Sequence, residues 1–94
     1  MDLEWRWVNA VVPKMTQKLI GRYSLLLTIN VMQPVGRRLL ADKLNMTERS
    51  VRTDLDLLVA NGLVAMGVNG VCLTDDGQRA LTNLQPLVDD ITGL

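Results

Sequence analysis

The segment from Arg37 to Thr53 constrains this chain more than any other, because two helices and the turn between them are written into it together. Leu40, Ala41 and Leu44 make an inward stripe for a short first helix, and Ala41 is small enough to let a second helix cross close by. Asn45 stands at the turn, where a left-handed backbone is needed and asparagine is the best substitute for glycine. Thr47 is a good N-cap, Glu48 puts negative charge into the first turn, and Met46 and Val51 are spaced as a hydrophobic staple across that cap. Val51, Leu55 and Leu58 then recur with helical spacing until Asn61-Gly62 stops the run. The expected second helix spans 48–60, and the pair has the form of a helix-turn-helix.

The flanks complete a small domain. Pro13 suits the first turn of a helix running to about Met32, with Met15, Leu19, Leu26, Ile29 and Met32 on one stripe, Gly21 as a mild weakness and Pro34 as the stop. Leu63 to Met66 and Val71 to Thr74 are expected strands, with Asn69-Gly70 as the hairpin signal between them. Thr74 caps a last helix that has Asp75 and Asp76 in its first turn and Ala80, Leu84 and Leu87 as apolar positions; Pro86 is expected to bend or interrupt it. Before Pro13, the stretch holding Trp5, Trp7, Val8, Val11 and Val12 has the composition of an amphipathic arm. Packing onto the domain's own core is the simpler role for it, and a subunit contact the other. The expected fold is mainly α with a small β-hairpin, a winged helix-turn-helix: an arm at 1–12, the domain at 13–85 and the start of a linker at 86–94.

With 94 residues, nearly half of them apolar and no Phe, the chain can build one modest aliphatic core. It has no histidine and a single cysteine, Cys72, which is expected to be a small buried residue. That composition leaves no zinc site of ordinary ligand count, no internal disulfide and no Ser-His or Cys-His nucleophile. No catalytic or metal site is therefore expected, and the chain is not read as an enzyme. No apolar run is long enough for a membrane, and a reducing, cytoplasmic setting fits.

The formal net charge of zero conceals a segregation. Residues 14–53 carry Lys14, Lys18, Arg22, Arg37, Arg38, Lys43, Arg49 and Arg52 against Asp42 and Glu48, while residues 54–94 carry six aspartates against Arg79. A basic face of this kind is the electrostatic footprint of a nucleic-acid binder, although a solvated helix face would show the same charges. On the 48–60 helix, Arg49 and Thr53 point almost opposite Val51, and Arg52 lies about a quarter-turn round. Arg49, Ser50, Arg52 and Thr53 are the candidates for DNA base contact, through guanine chelation by arginine and methyl contact by threonine.

Arg37 and Arg38 sit in a helix's first turn, where the dipole disfavours cations unless a phosphate is present, so both are candidate phosphate anchors. The alternative for them is solvent exposure with an Arg38–Asp42 pair. Thr47 at its cap, and Asn69 in an uncharged wing, complete the candidate phosphate contacts. The wing could equally serve only to close the core. Double-stranded operator DNA is the expected partner. The alternative is a winged helix used for protein–protein contact, which would have no need of Arg37, Arg38, Arg49 and Arg52 together.

The run Gln33-Pro34-Val35-Gly36-Arg37-Arg38-Leu39-Leu40, followed by Leu44-Asn45-Met46-Thr47-Glu48-Arg49-Ser50-Val51-Arg52, resembles the N-terminal DNA-binding domain of the central glycolytic gene regulators, a family of SorC-type sugar-responsive bacterial repressors. The likeness continues through Leu57-Leu58, Asn61-Gly62-Leu63-Val64, Asn69-Gly70 and Leu73-Thr74-Asp75-Asp76-Gly77, and covers about Val12 to Leu84. It implies a transcriptional repressor of glycolytic genes whose DNA-reading residues fall at Glu48 to Thr53. It also implies a separate C-terminal effector domain that binds a phosphorylated sugar such as fructose-1,6-bisphosphate and makes the full-length protein a homo-oligomer. No cofactor or small-molecule effector is expected on this stretch itself.

Overall fold

The computed structural model describes residue 7 and residues 10–93. Of the arm, Trp5 and Val8 lie outside the described residues; Trp7, Ala10 and Val11 are helical. Trp7 does not pack into the core as expected: it is 61% exposed, and Val11 is exposed as well.

The main body runs α1 (Pro13–Met32), α2 (Arg37–Leu44), α3 (Glu48–Ala60), β1 (Val64–Gly67), β2 (Gly70–Leu73) and α4 (Asp75–Thr92). α1 starts on Pro13, whose missing N–H costs nothing in a first turn, and stops before Gln33, which takes the extended geometry that a following proline imposes. Its buried stripe is Leu25, Leu26 and Ile29, with Met32 partly buried. Leu25 was absent from the expected stripe; of the residues in it, Leu19 is half-buried and Met15 is exposed, while the neighbouring Thr16 is buried.

The turn between α2 and α3 follows the sequence closely. Asn45 has φ 53°, and the N–H groups of Asn45 and Met46 return to Asp42 and Ala41. α3 ends in the same way: Gly62 has φ 74°, and the N–H groups of Gly62 and Leu63 return to Val59 and Leu58. Both are paired backbone closures of the Schellman type, which satisfy carbonyls that a helix end would leave orphaned. Val51, Leu55 and Leu58 are buried, and they join Leu25, Leu26, Ile29, Val35, Leu40, Ala41, Val64, Val71 and Leu81 in one core.

The hairpin is where expected, but its turn is shifted by one residue. Val64 pairs with Leu73 and Gly67 with Gly70, so Val68 and Asn69 form the tip. Neither tip residue has positive φ; Gly70 does, at +131°. The cause lies outside the hairpin. Val35, in the link between α1 and α2, exchanges both backbone hydrogen bonds with Val71, at 3.1 and 2.8 Å. This seats Gly70 so close that a Cβ there would lie 2.7 Å from the Val35 backbone. Gln33 adds its side-chain oxygen to the Leu73 N–H at 2.8 Å. Cys72, one residue on from the buried Val71, is half-buried rather than enclosed.

α4 is capped by Thr74, whose hydroxyl accepts from the Gly77 N–H and donates to the Gly62 carbonyl. Gly77 itself faces the Leu63 carbonyl, which a Cβ would strike at 2.1 Å. The helix is not interrupted at Pro86 but continues to Thr92. Pro86 and Thr82, whose carbonyl loses its partner, are both exposed, so water can replace the missing bond. Its inward residues are Leu81 and Val88, with Leu84 and Leu87 half-buried. The stretch expected to begin a linker thus supplies, up to Thr92, the final turns of α4.

Two glycine substitutions should move stability in opposite directions. Gly70→Ala combines a disfavoured φ with backbone overlap and should cost about 2 kcal/mol or more. Gly21→Ala meets nothing within 4 Å in mid-helix and should stabilise by about 0.5–1 kcal/mol. Urea denaturation of both variants checks the pair.

Candidate nucleic-acid interface

α3 presents its polar side to solvent because its apolar side is committed to the core. Taking about 100° per residue, Arg49 and Thr53 stand nearly opposite Val51, while Ser50 and Arg52 occupy the two flanks. Arg49, Ser50, Arg52 and Thr53 are all exposed, as their positions on the helix require.

The start of α3 is held by local hydrogen bonds. The Ser50 N–H donates to the Thr47 hydroxyl at 3.1 Å, and that hydroxyl donates to the Ser50 oxygen at 3.0 Å. Met46 is partly buried against the core to which the fully buried Val51 belongs, as a staple across the cap requires. Thr53 donates its hydroxyl to the Arg49 carbonyl at 3.0 Å, which ties down its polar end. Thr47 and Ser50 therefore serve first to organise the helix start.

Two grooves flank α3, and Arg49 lines both. The first, of about 280 Å³, is bounded by Arg37, Glu48, Arg49 and Arg52, so α2 brings Arg37 to the Arg52 side of the helix. The second, of about 510 Å³, lies between α3 and α1; Gln17, Lys18, Gly21 and Arg22 face Arg49, Ser50, Thr53 and Asp54 across it. No residue of α4, which carries half of the aspartates, lines either groove.

Charge pairing within this surface is selective. Arg38 is 92% exposed and its Nε lies 3.2 Å from Glu48 Oε1, not on Asp42 as the alternative reading had it. Such an exposed pair contributes little to stability and can open at small cost. Arg22 reaches Asp54 at 3.5 Å, a charge contact too long to be a well-formed hydrogen bond. Arg37, Arg49 and Arg52 have no ion-pair partner among the described residues.

The structure thus gathers Arg37, Arg49 and Arg52 around one groove and keeps Arg38 nearby through Glu48. Asn69 is exposed at the hairpin tip beside Val68 and lines neither groove. Lys18 and Gln17 were not singled out by sequence reasoning, because nothing local in α1 shows which of its faces will lie beside α3.

A helix-turn-helix followed by a two-stranded hairpin, with the hairpin tied back to the link before α2, defines a winged helix. Two solved structures confirm that fold. A protein of unknown function from Listeria innocua Clip11262 superposes with TM-score 0.67 at 18% identity, covering 90% of this chain and 73% of that one. The multiple antibiotic-resistance repressor (MarR) from Listeria monocytogenes 4b F2365 superposes with TM-score 0.66 at 14% identity, covering 95% and 68%. The family is settled by sequence. The model of the CggR N-terminal DNA binding domain matches residues 18–88, and the chain belongs to that family. Among its relatives, the central glycolytic genes regulator of Priestia megaterium (strain DSM 319 / IMG 1521) is 33% identical over 84 residues, and that of Bacillus subtilis (strain 168) 31%. Each alignment covers 89% of this chain, which spans 25% of the length of these relatives.

The cap that aims α3 has a measurable weight. Thr47→Ala removes the acceptor for the Ser50 N–H and should destabilise the domain by about 1 kcal/mol. Thr47→Asp should retain most of that stability, because its carboxylate can accept the same bond. Thermal unfolding of the two variants distinguishes loss of the cap from loss of the residue.

Proposed function

We propose that this chain is the operator-reading domain of a bacterial repressor of glycolytic genes and docks α3 in the DNA major groove. The observation that carries the proposal is the face formed by Arg37, Arg49 and Arg52: three exposed arginines without ion-pair partners among the described residues, on a helix pair held rigid from behind by its core. Leaving several cations side by side and unpaired is unfavourable in the free protein and favourable once phosphates arrive.

In this docking, Arg49, Ser50, Arg52 and Thr53 meet base edges and Arg37, Arg38 and Thr47 meet the phosphate backbone. Arg37 and Arg38 open α2, so a phosphate there would also receive that helix's free N–H groups. Arg38 would exchange Glu48 for phosphate. Asn69 would reach a phosphate from the wing, which carries no cation and so adds little electrostatic affinity. The names of the relatives, both regulators of central glycolytic genes, support the choice of target operon. A phosphorylated sugar and oligomer formation would belong to a further domain and not to these residues.

Binding of this chain to a random duplex pool, measured by fluorescence anisotropy at two salt concentrations and followed by sequencing of the retained DNA, tests the proposal. Salt-sensitive retention with a shared motif is expected. Arg49→Ala should cost about 1–3 kcal/mol and relax the motif, whereas Arg37→Ala should weaken binding to all sequences and flatten the salt slope by about one. An Arg49→Ala variant that kept both affinity and motif would refute this docking of α3.

A further inference from the structure

We infer that Lys18, on α1, is a phosphate contact of the same interface, placed on the DNA strand opposite the one held by Arg37. The inference rests on the docking proposed above. An α-helix with its side chains is about 10–12 Å across, and the major groove is about 12 Å wide. A helix inserted there has one sugar-phosphate backbone along each flank. The outward residues Arg49 and Thr53 meet bases, and whatever stands beside the two flanks meets phosphates.

The two flanks of α3 are not equivalent in origin. On the Arg52 side the neighbouring cation is Arg37 from α2. On the Ser50 side the neighbouring wall is α1, which brings Gln17, Lys18, Gly21 and Arg22 to the groove shared with Arg49, Ser50, Thr53 and Asp54. Of the two cations of that wall, Arg22 is committed: it is the more buried, and its guanidinium faces Asp54. That contact also offsets the one carboxylate that would repel a phosphate here. Lys18 is exposed and has no ion-pair partner among the described residues. A lysine suits this place, since a long flexible stem ending in a point charge can follow a backbone whose distance varies with sequence. Gly21, one turn from Gln17, leaves the wall open, with nothing within 4 Å of where its Cβ would be.

The count of charges supports a two-sided grip. Lys18, Arg22 and Arg49 against Asp54 leave the α1 groove with the same net positive charge that Arg37, Arg49 and Arg52 against Glu48 leave on the other side. Contacts on both strands fix the roll of α3 about its own axis, which a single-sided anchor cannot do. That roll decides whether Ser50 or Arg52 faces a base edge.

The test compares Lys18→Ala, Lys18→Arg and Lys14→Ala in the 94-residue chain, using the salt dependence of binding and the motif retained from a random duplex pool. Lys14 lies one turn earlier on α1, is exposed, and does not line the α3 groove; it lines an apolar groove that Lys18 and Arg22 also border. Lys18→Ala should lower the salt slope by about one with the motif unchanged, and Lys18→Arg should restore the slope. The double variant Lys18→Ala with Arg37→Ala should lose about two, because the phosphates are different ones. An unchanged slope in Lys18→Ala would overturn the assignment. So would an equal loss in Lys14→Ala, which would mean only long-range charge, or an altered motif, which would make Lys18 a base reader. If the unaltered chain showed no salt-sensitive binding, the docking itself would be overturned, and this contact with it.

Discussion

The reciprocal pair of backbone hydrogen bonds between Val35 and Val71 sets the geometry on which the rest of this domain depends. A lone two-stranded hairpin is marginal in water, and β1 and β2 have only four residues each. Val35 gives β2 a partner on its second edge, and both valines are buried against the core. Because Val35 sits immediately before Gly36 and α2, the same contact fixes where α2 begins. α3 is then placed by the Asn45 turn. One bridge therefore relates the wing to the helix pair.

That bridge also explains where local sequence rules stopped working. Within Asn45 to Gly62 every signal was local: a left-handed asparagine, a threonine cap, a staple, a glycine stop. Each concerns residues within about one turn of one another, so the helix-turn-helix could be read with its boundaries. The hairpin's existence was legible for the same reason. Its turn was not, since the Asn69-Gly70 pair favours a turn centred on itself, and docking on Val35 overrides that preference in favour of a tip at Val68 and Asn69. Whether Pro86 would interrupt α4 was likewise not legible, because a proline's cost depends on whether the freed carbonyl faces water, which a sequence does not state.

The same division runs through the interface. Arg49, Ser50, Arg52 and Thr53 could be placed by helical periodicity alone, given the buried Val51. The partners of the charges could not. For Arg38, spacing on one helix offered Asp42 as the alternative to a phosphate, yet its partner in the structure is Glu48, across the motif. Arg22 meets Asp54 from a helix more than thirty residues earlier. Lys18 shares a groove with Arg49, Ser50 and Thr53, a tertiary fact with no local signature.

These pairings separate two kinds of basic residue that composition treats alike. Arg22 and Arg38 spend charge within the protein, one against a half-buried aspartate and one against an exposed glutamate. Arg37, Arg49, Arg52 and Lys18 hold theirs in reserve on three different helices. An interface whose free cations come from separate elements reads the shape of what it binds, because the spacing between them is set by packing. Leu40 and Ala41 of α2, Val51 and Leu55 of α3, and Leu25 and Leu26 of α1 all belong to the one buried core. The aliphatic core therefore does more than stabilise this small domain. It also fixes the frame on which α1, α2 and α3 carry these cations.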